Sequence, residues 1–236
     1  MVISHLKTVS IDLTCLYPWA KFRKAKAAVK MHTKMDANTS IPDFIHISDG
    51  KMHDVKVLDM IVFLAGAFYV MDRDYLDLER PYRIHRSSAY FLIRAKKDMK
   101  FERVYSAKAD KAKGLKCDQT IGPAGFYTSK DYPEKPGRIK YHDSGTGRTL
   151  VFLTNNFELL AMEVAMLYKH RWFVETFFKW IKQHLKIKSF WGTPRNAVKT
   201  QIWIAITVYV TIIVLNGTQD RTVDLRNAAG FEHQHI

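Results

Sequence analysis

Hydrophobic and polar positions along the first 95 residues alternate between the period of a strand and that of a helix. Short apolar runs with period-2 alternation predict strands, and segments with apolar residues three to four apart predict helices between them. Pro18 and the turn from Asn38 to Pro42 separate the first three strands by short links, which favours an antiparallel meander. The predicted elements, in order, are strands at 9–13, 28–35 and 44–47, a helix at 53–62, a strand at 67–72, a helix at 77–86 and a strand at 89–93.

This order, β-β-β-α-β-α-β, is typical of a mixed sheet flanked by helices and predicts an α/β fold. The chain then changes character, because Gly and Pro punctuate short strand-like pieces as far as residue 157. A helix is predicted from Glu158 to about Lys186, and a second from Thr193, with Pro194 in its first position, to Asn216 and Gly217. We therefore expect four segments: the first part of a core at 1–95, a strand-rich insertion at 96–157, a helical completion of the core at 158–217 and a loose tail at 218–236.

Composition indicates a globular domain in a reducing compartment. Hydrophobic residues make up 47% of the 236 residues, which is enough for a core. Cys15 and Cys117 have no partner at metal-ligand spacing, so neither a disulfide scaffold nor a zinc module is expected. The longest apolar stretch, 202–215, is shorter than the roughly 20 residues that cross a bilayer. We expect a buried helix there and a cytoplasmic protein, with a membrane span as the alternative.

The charge balance points to a polyanionic partner. The chain has 37 Lys and Arg against 23 Asp and Glu, a net charge of +14. Such a field attracts nucleic acid, although an anionic membrane surface would use the same charge. The segment from Trp19 to Lys34 contains six basic residues and no Asp or Glu. This run is either a solvated basic face or a DNA contact, and the residues predicted to bind DNA there are Lys21, Arg23, Lys24 and Lys26.

Four chemically potent side chains lie on one side of the first predicted long helix. At 100° per residue, Tyr168, Arg171, Glu175 and Lys182 fall within a stripe about 60° wide. The stripe borders the apolar face of the helix, where a carboxylate can lie beside a cleft. The alternative is an ordinary Arg–Glu pair four residues apart on a surface helix.

Asp72 is the second candidate for chemistry. It ends a buried strand, and ligands bind open α/β sheets at the carboxyl ends of their strands. Asp72 and Glu175 together could hold Mg²⁺, which prefers carboxylate and phosphate oxygens. A Mg²⁺ ion there would promote nucleophilic attack on a phosphodiester, although two-metal chemistry usually needs a third acid. The alternative for Asp72 is a cap on the following turn.

These residues also carry a family resemblance. The segment from Tyr168 to Lys182 matches the pattern Tyr-x2-Arg-x3-Glu-x6-Lys and resembles the signature of DDE transposases from bacterial insertion sequences of the family numbered four. Other stretches resemble the same family, the first of them its second-Asp strand: Tyr69–Tyr75, Tyr17–Phe22, Leu153–Asn156 and Phe178–His184.

The resemblance implies a ribonuclease H-like mixed sheet with flanking helices and a strand-rich insertion before the last acidic helix. It implies DNA cleavage at element ends and joining of the freed 3′-hydroxyl to target DNA. Two Mg²⁺ ions, for which Mn²⁺ can substitute, would be held by two Asp and a Glu, here including Asp72 and Glu175. Tyr168, Arg171 and Lys182 would contact DNA near the scissile bond. The expected partners are transposon ends, target DNA and a second copy of the chain, with no membrane.

One departure from the family pattern concerns the first acid. Lys7 stands where the family's first Asp belongs, and an ammonium group offers a metal no lone pair. Asp12 is a third possible metal ligand, but it lies five positions on and faces the other side of a strand unless a bulge changes the parity. The family's N-terminal end-recognition region is also expected to be absent.

The sequence therefore predicts the catalytic core of a transposase whose metal-dependent cleavage is impaired. Two alternatives stay open. One is a non-catalytic, DNA-binding remnant of a transposase. The other is an unrelated metal-dependent nuclease, which would need a third carboxylate near Asp72 and Glu175.

Overall fold

A computed structural model describes residues 2–13, 17–23, 26–96, 99–123, 131–184 and 190–219. Within these residues ten strands form one sheet. The strands are β1 (Ile3–Leu13), β2 (Lys21–Arg23), β3 (Lys26–Asp36), β4 (Pro42–Asp49), β5 (Phe68–Met71), β6 (Tyr90–Arg94), β7 (Phe101–Ala107), β8 (Leu115–Pro123), β9 (Gly137–Asp143) and β10 (Arg148–Thr154).

Helices connect and cover these strands. Those of the α type are α1 (Glu79–Arg86), α2 (Ala161–Lys169), α3 (Trp172–His184) and α4 (Arg195–Gln219). Shorter 3₁₀ turns lie at Pro18–Ala20, Asp54–Met60, Arg73–Tyr75 and Lys111–Lys113.

The sheet is mixed, as the element order predicted. Its strands follow the order β2-β3-β1-β5-β6-β10-β9-β8-β7, and β4 pairs with the free side of β3. β1, β3 and β4 form the expected antiparallel meander. β1 pairs in parallel with β5, and β5 in parallel with β6. From β6 onward, β10, β9, β8 and β7 add to the sheet in antiparallel fashion.

Alternate residues of β1 and β5 face two different helical layers. Val9 and Ile11 of β1 face the cluster built with Phe177 of α3 and Ile202 of α4. On the same side of the sheet, α2 packs over β5, β6 and β10. Leu6, by contrast, faces the opposite layer, which includes α1 and the Asp54–Met60 turn. The part of β1 that pairs with β5, Ile3 to Leu6, thus lies where the layer of α2 meets the layer of α3.

The prediction of one continuous helix over 158–186 is wrong, because α2 and α3 are separate helices. At the junction the Arg171 amide donates to the Tyr168 carbonyl at 3.1 Å, and the Val174 amide to the Arg171 carbonyl at 3.2 Å. These are the tighter bonds of a 3₁₀ turn. The break has a packing cause, since the buried residues of α2 belong to the cluster over β5, β6 and β10 and those of α3 to the cluster over β1 and β3.

Two further predicted elements differ in detail. The helix expected at 53–62 is the 3₁₀ segment Asp54–Met60. The helix expected from Pro194 begins one residue later and continues past Gly217 to Gln219, so the first residues of the expected loose tail are helical. Residues 220–236 lie outside the described part of the chain.

The expectation of a buried helix at 202–215 is met on only one face of α4. Val198 and Ile202 are fully buried in the core. The opposite face is apolar and exposed, with Ile204 at 53% and Leu215 at 61% exposure. By length and composition, Arg195–Asn216 is apolar enough to cross a bilayer, with a mean hydropathy of 1.8. Its inner face nevertheless completes the core around α3.

Candidate functional site

Parallel pairing of β1 and β5 builds the base of the site. Leu6 of β1 is in register with Met71 of β5, so the next residues, Lys7 and Asp72, follow side by side on neighbouring strands. Lys7 shares the β1 face of Val9 and therefore projects toward α3. Its ammonium donates a hydrogen bond to Oε1 of Glu175 at 2.7 Å. Lys7, the β1 residue beside Asp72, thus carries a positive charge that is bound to Glu175.

Glu175 accepts a second cation at the same oxygen. Nη2 of Arg171 lies 2.7 Å from Oε1 of Glu175, the pair four residues apart expected on a helix. Burial acts to raise the pKa of Glu175, but the hydrogen bond from Lys7 and the charges of Arg171 and Lys7 outweigh it and lower the pKa below its ordinary value of 4.5. Glu175 is therefore ionised at neutral pH, and its charge is already compensated within the protein.

Asp72 both caps a turn and faces the site. Its Oδ1 accepts a hydrogen bond from the amide of Arg73 at 2.8 Å and so caps the Arg73–Tyr75 turn. The Tyr168 hydroxyl lies 3.5 Å from Oδ1, and Nη1 of Arg171 lies 4.0 Å from Oδ2. Arg171 consequently reaches both carboxylates, Asp72 at 4.0 Å and Glu175 at 2.7 Å.

The helix break at His170 and Arg171 positions the two residues that link these carboxylates. Tyr168, at the end of α2, packs its ring on Phe152 with ring centroids 4.6 Å apart. Burial raises the pKa of Tyr168 to about 12, so its hydroxyl stays protonated and can donate. The Arg171 guanidinium lies 5.5 Å from the Tyr168 ring centroid, within cation–π range.

His5 is a buried residue within electrostatic range of Arg171, and it was not predicted from the sequence. It is fully buried, and in the described part of the chain neither of its ring nitrogens has a hydrogen-bond partner. Burial and the charge of Arg171 lower the pKa of His5 to about 4, so the ring is neutral at physiological pH. A neutral ring adds no charge near the Arg171 guanidinium.

Lys182 lies two helical turns beyond Glu175 on α3. Both residues, with Lys7, line an open surface cavity of about 440 Å³. Tyr168 and Arg171, which precede α3, lie instead at Asp72, and Arg171 connects them to Glu175. Lys182 shares only the cavity with Glu175. The roles of these residues in binding or chemistry stay predictions.

Asp12 does not join this group. The pairing of β1 with β3 runs without a register shift from Ser4 to Leu13, so no bulge changes the parity of the strand. Asp12 is exposed and shares the β1 face of Leu6 and Thr8, opposite to Lys7. Among the described residues, no group of three or more His, Cys, Asp and Glu side chains could hold a metal ion.

The basic run at 21–26 lies largely beyond what can be described. Lys24 is outside the described residues, and so are the side chains of Lys21, Arg23 and Lys26. Their assignment as DNA contacts stays a prediction.

The donor set does not fit the two Mg²⁺ ions expected from the resemblance. Mg²⁺ needs free oxygen ligands in octahedral geometry. Here one oxygen of Glu175 is bound to Lys7 and Arg171, and one oxygen of Asp72 to the Arg73 amide. Lys7 supplies a positive charge where a third carboxylate would be required. The site is therefore a cluster of ion pairs in which Lys7 and Arg171 compensate the charges of Glu175 and Asp72.

Comparison with known proteins identifies the class to which this fold and site belong. The sequence matches the family described as "Transposase DDE domain" over residues 12–211. The chain belongs to this family, and the resemblance seen in the sequence is confirmed. This membership rules against the unrelated nuclease. The reaction of the family generally uses divalent metal ions.

Relatives carry the same assignment. The chain is 32% identical over 212 residues to a protein of Sinorhizobium fredii (strain NBRC 101917 / NGR234) named as transposase y4zB, covering 88% of this chain and 59% of that protein. It is 30% identical over 195 residues to a Geobacillus stearothermophilus protein named as a transposase for insertion sequence element IS5377, covering 83% of this chain and 51% of the relative. The chain thus spans somewhat more than half the length of these relatives.

A solved structure shows the likeness of fold. The structure titled "Cryo-EM structure of piggyBac transposase synaptic complex with hairpin DNA (SNHP)" superposes with a TM-score of 0.54 at 10% identity. The likeness covers 99% of this chain and 49% of that one. The mixed sheet with flanking helices is therefore a fold that this chain shares with that structure.

Proposed function

We propose that this chain is the catalytic core of an insertion-sequence transposase and that Lys7 suppresses its metal-dependent DNA cleavage. The observation that carries the proposal is the 2.7 Å bond between Lys7 and Glu175, beside Asp72 on the neighbouring strand. On this proposal Lys7, Asp72 and Glu175 would occupy the three positions of the family's acids, and the first position would hold the opposite charge.

The fold that we propose for this core is ribonuclease H-like. The supporting observation is the strand order β4-β3-β1-β5-β6, in which β3 is antiparallel to β1 whereas β5 and β6 are parallel to it. This order places Lys7 and Asp72 on adjacent parallel strands and Glu175 on a helix that covers them. On the proposed fold these are the three places of the DDE acids, and β7 to β10 form the insertion before α3.

The partner that we propose is the DNA of transposon ends and of the target. Arg171 would hold a phosphate near Asp72, since it reaches both carboxylates and keeps two nitrogens, Nε and Nη1, without hydrogen-bond partners in the described residues. Lys182 would add a second cation from the cavity that it lines together with Lys7 and Glu175. The protonated Tyr168 hydroxyl would donate to a phosphate oxygen. Two copies of the chain on paired ends would complete the assembly.

Suppression of cleavage follows from electrostatics at one position. Lys7 neutralises Glu175 and repels an incoming divalent cation, and it supplies no ligand in compensation. Without that cation, the charge that develops on phosphate in the transition state loses its main stabilisation. Removing stabilisation of this kind typically slows a reaction by about 100-fold or more.

The test compares the native chain with Lys7→Asp on a supercoiled plasmid that carries the DNA bordering this reading frame. With Mn²⁺, we expect the variant to convert the plasmid to open circles at least about 100-fold faster than the native chain. Lys7→Asp with Glu175→Gln is the control and should be as slow as the native chain. The proposal fails if the native chain itself nicks as fast as Lys7→Asp, or if neither protein nicks the plasmid. The second result would leave only a DNA-binding remnant.

A further inference from the structure

The site formed by Lys7, Asp72, Arg171 and Glu175 is called the acid site from here on. A separate group of cations lies outside it, across the neighbouring strands β6, β10 and β9. They line a cavity of about 340 Å³, and its lining, counted over the described residues, includes five cations and no carboxylate. We call it the basic cavity, and its cations are Arg73, Arg94, Lys96, Arg138 and Lys140.

None of these five cations forms a salt bridge with an acid in the residues that the structure describes. This sets the cavity apart from the acid site, where Lys7 and Arg171 are paired with Glu175. Like charges around a small volume repel one another, and an anion that enters relieves the repulsion. The basic cavity is therefore suited to binding a ligand with several negative charges.

Arg138 is held in place before any ligand binds. Its Nη1 donates to Oε1 of Gln119 at 2.8 Å, and its guanidinium lies 4.3 Å from the ring centroid of Phe101. Its Nε is buried and has no hydrogen-bond partner among the described residues. A fixed guanidinium loses little freedom when it binds a phosphate.

The rest of the lining is largely apolar. Met99, Phe101, Val151 and Leu153 lie among the cations. A cavity for a small inorganic anion needs only polar groups. Cations interleaved with apolar side chains fit a ligand that alternates charged phosphates with apolar sugar surfaces.

The basic cavity adjoins the acid site on two sides. Arg73, which lines it, directly follows Asp72 in the chain. Arg94, which also lines it, lies near enough to Tyr168 to lower the pKa of that phenol in opposition to the larger effect of burial. The apolar lining packs largely in the layer opposite Tyr168, but Arg73 and Arg94 lie at the carboxyl ends of β5 and β6. A single polyanion that passes round these strand ends could therefore reach from Tyr168 and Asp72 into the basic cavity.

We propose that the basic cavity binds backbone phosphates of a DNA strand on the flank of the segment held at Tyr168 and Asp72. This inference rests on the proposed function, because it takes the acid site to hold DNA. It assigns DNA binding to residues of the strand-rich region that no sequence pattern singled out.

The test measures DNA affinity against salt for Lys96→Gln with Lys140→Gln. The control, Lys51→Gln with Lys111→Gln, removes the same charge from exposed positions that do not line the cavity. Each phosphate contact contributes about 0.9 to the slope of log affinity against log salt on duplex DNA and about 0.7 on a single strand. We expect the cavity variant to lose about 1.8 from the slope on a duplex, or about 1.4 on a single strand.

On a duplex, the native chain should then lose about 12 times more affinity than the cavity variant between about 50 and about 200 mM salt. The control should keep the native slope. An unchanged slope in the cavity variant, or an equal drop in the control, overturns the inference while leaving the proposed function intact. If the native chain shows no salt-dependent DNA binding, the proposed function itself fails. Thermal unfolding of both variants checks that they remain folded.

Discussion

Replacement of Lys7 by Asp should convert the ion-paired cluster into a metal site. A divalent ion about 4 Å from the Lys7 ammonium is repelled by about 2 kcal/mol in water and by about 8 kcal/mol at an effective dielectric constant of about 20. The Lys7 side chain is 23% exposed and that of Glu175 46%, so the lower figure is the safer bound. Even that bound corresponds to a change in affinity of about 30-fold.

The assay is titration calorimetry with Mn²⁺ on the native chain, Lys7→Asp and Lys7→Gln. We expect Lys7→Asp to bind at least about 30-fold more tightly than the native chain, because the variant removes a repulsion and adds an oxygen ligand. Lys7→Gln removes the repulsion but offers only a neutral amide oxygen in place of a carboxylate, so its affinity should fall between the two. Equal Mn²⁺ affinity in the native chain and Lys7→Asp would refute the electrostatic reasoning.

Two further predictions concern stability. Because the pKa of Glu175 is lowered in the folded chain, its charge stabilises the fold fully above pH 4.5. This stabilisation declines below pH 4.5 and is lost as the pH falls through the lower pKa of the folded chain. The Tm advantage of the native chain over Glu175→Gln should therefore be present at neutral pH and vanish in acid, and a constant difference would contradict the assigned pairing with Lys7. Thr8→Val should cost about 1–3 kcal/mol in urea unfolding, since it leaves Nδ1 of buried His32 without the bond now formed at 2.7 Å to Thr8. Ser10→Ala, at an exposed position of the same strand, should cost much less.

Local pattern was sufficient for much of the fold. The buried strand that ends at Met71 and the placement of Asp72 after it follow from one apolar run and its last residue. The antiparallel meander follows from short links between strands. These features depend on neighbours in sequence, which a single chain displays directly.

The helix break and the basic cavity depend on tertiary contacts instead. The turn at Arg171 contains neither Gly nor Pro, and it forms because α2 and α3 bury their apolar faces in different clusters. Arg94 and Arg138 meet only because β6, β10 and β9 pair across the sheet. Neither the packing of α2 and α3 in different clusters nor the pairing of β6, β10 and β9 leaves a spacing pattern in the sequence.

The chemistry of the acid site was predictable in part. The position of Lys7 could be read from the family pattern, but its bond to Glu175 required the register of β1 against β5 and the height of α3 above them. The same register shows that Asp12 lies on the other face of β1.

The most direct test of the central claim is a crystal structure of the native chain grown with Mn²⁺, with anomalous data collected at the manganese edge. The account predicts no anomalous peak between Asp72 and Glu175 and a Lys7 ammonium within hydrogen-bonding distance of Glu175. A manganese peak bound by both carboxylates, with Lys7 displaced, would show that the lysine does not exclude the metal and would contradict the account.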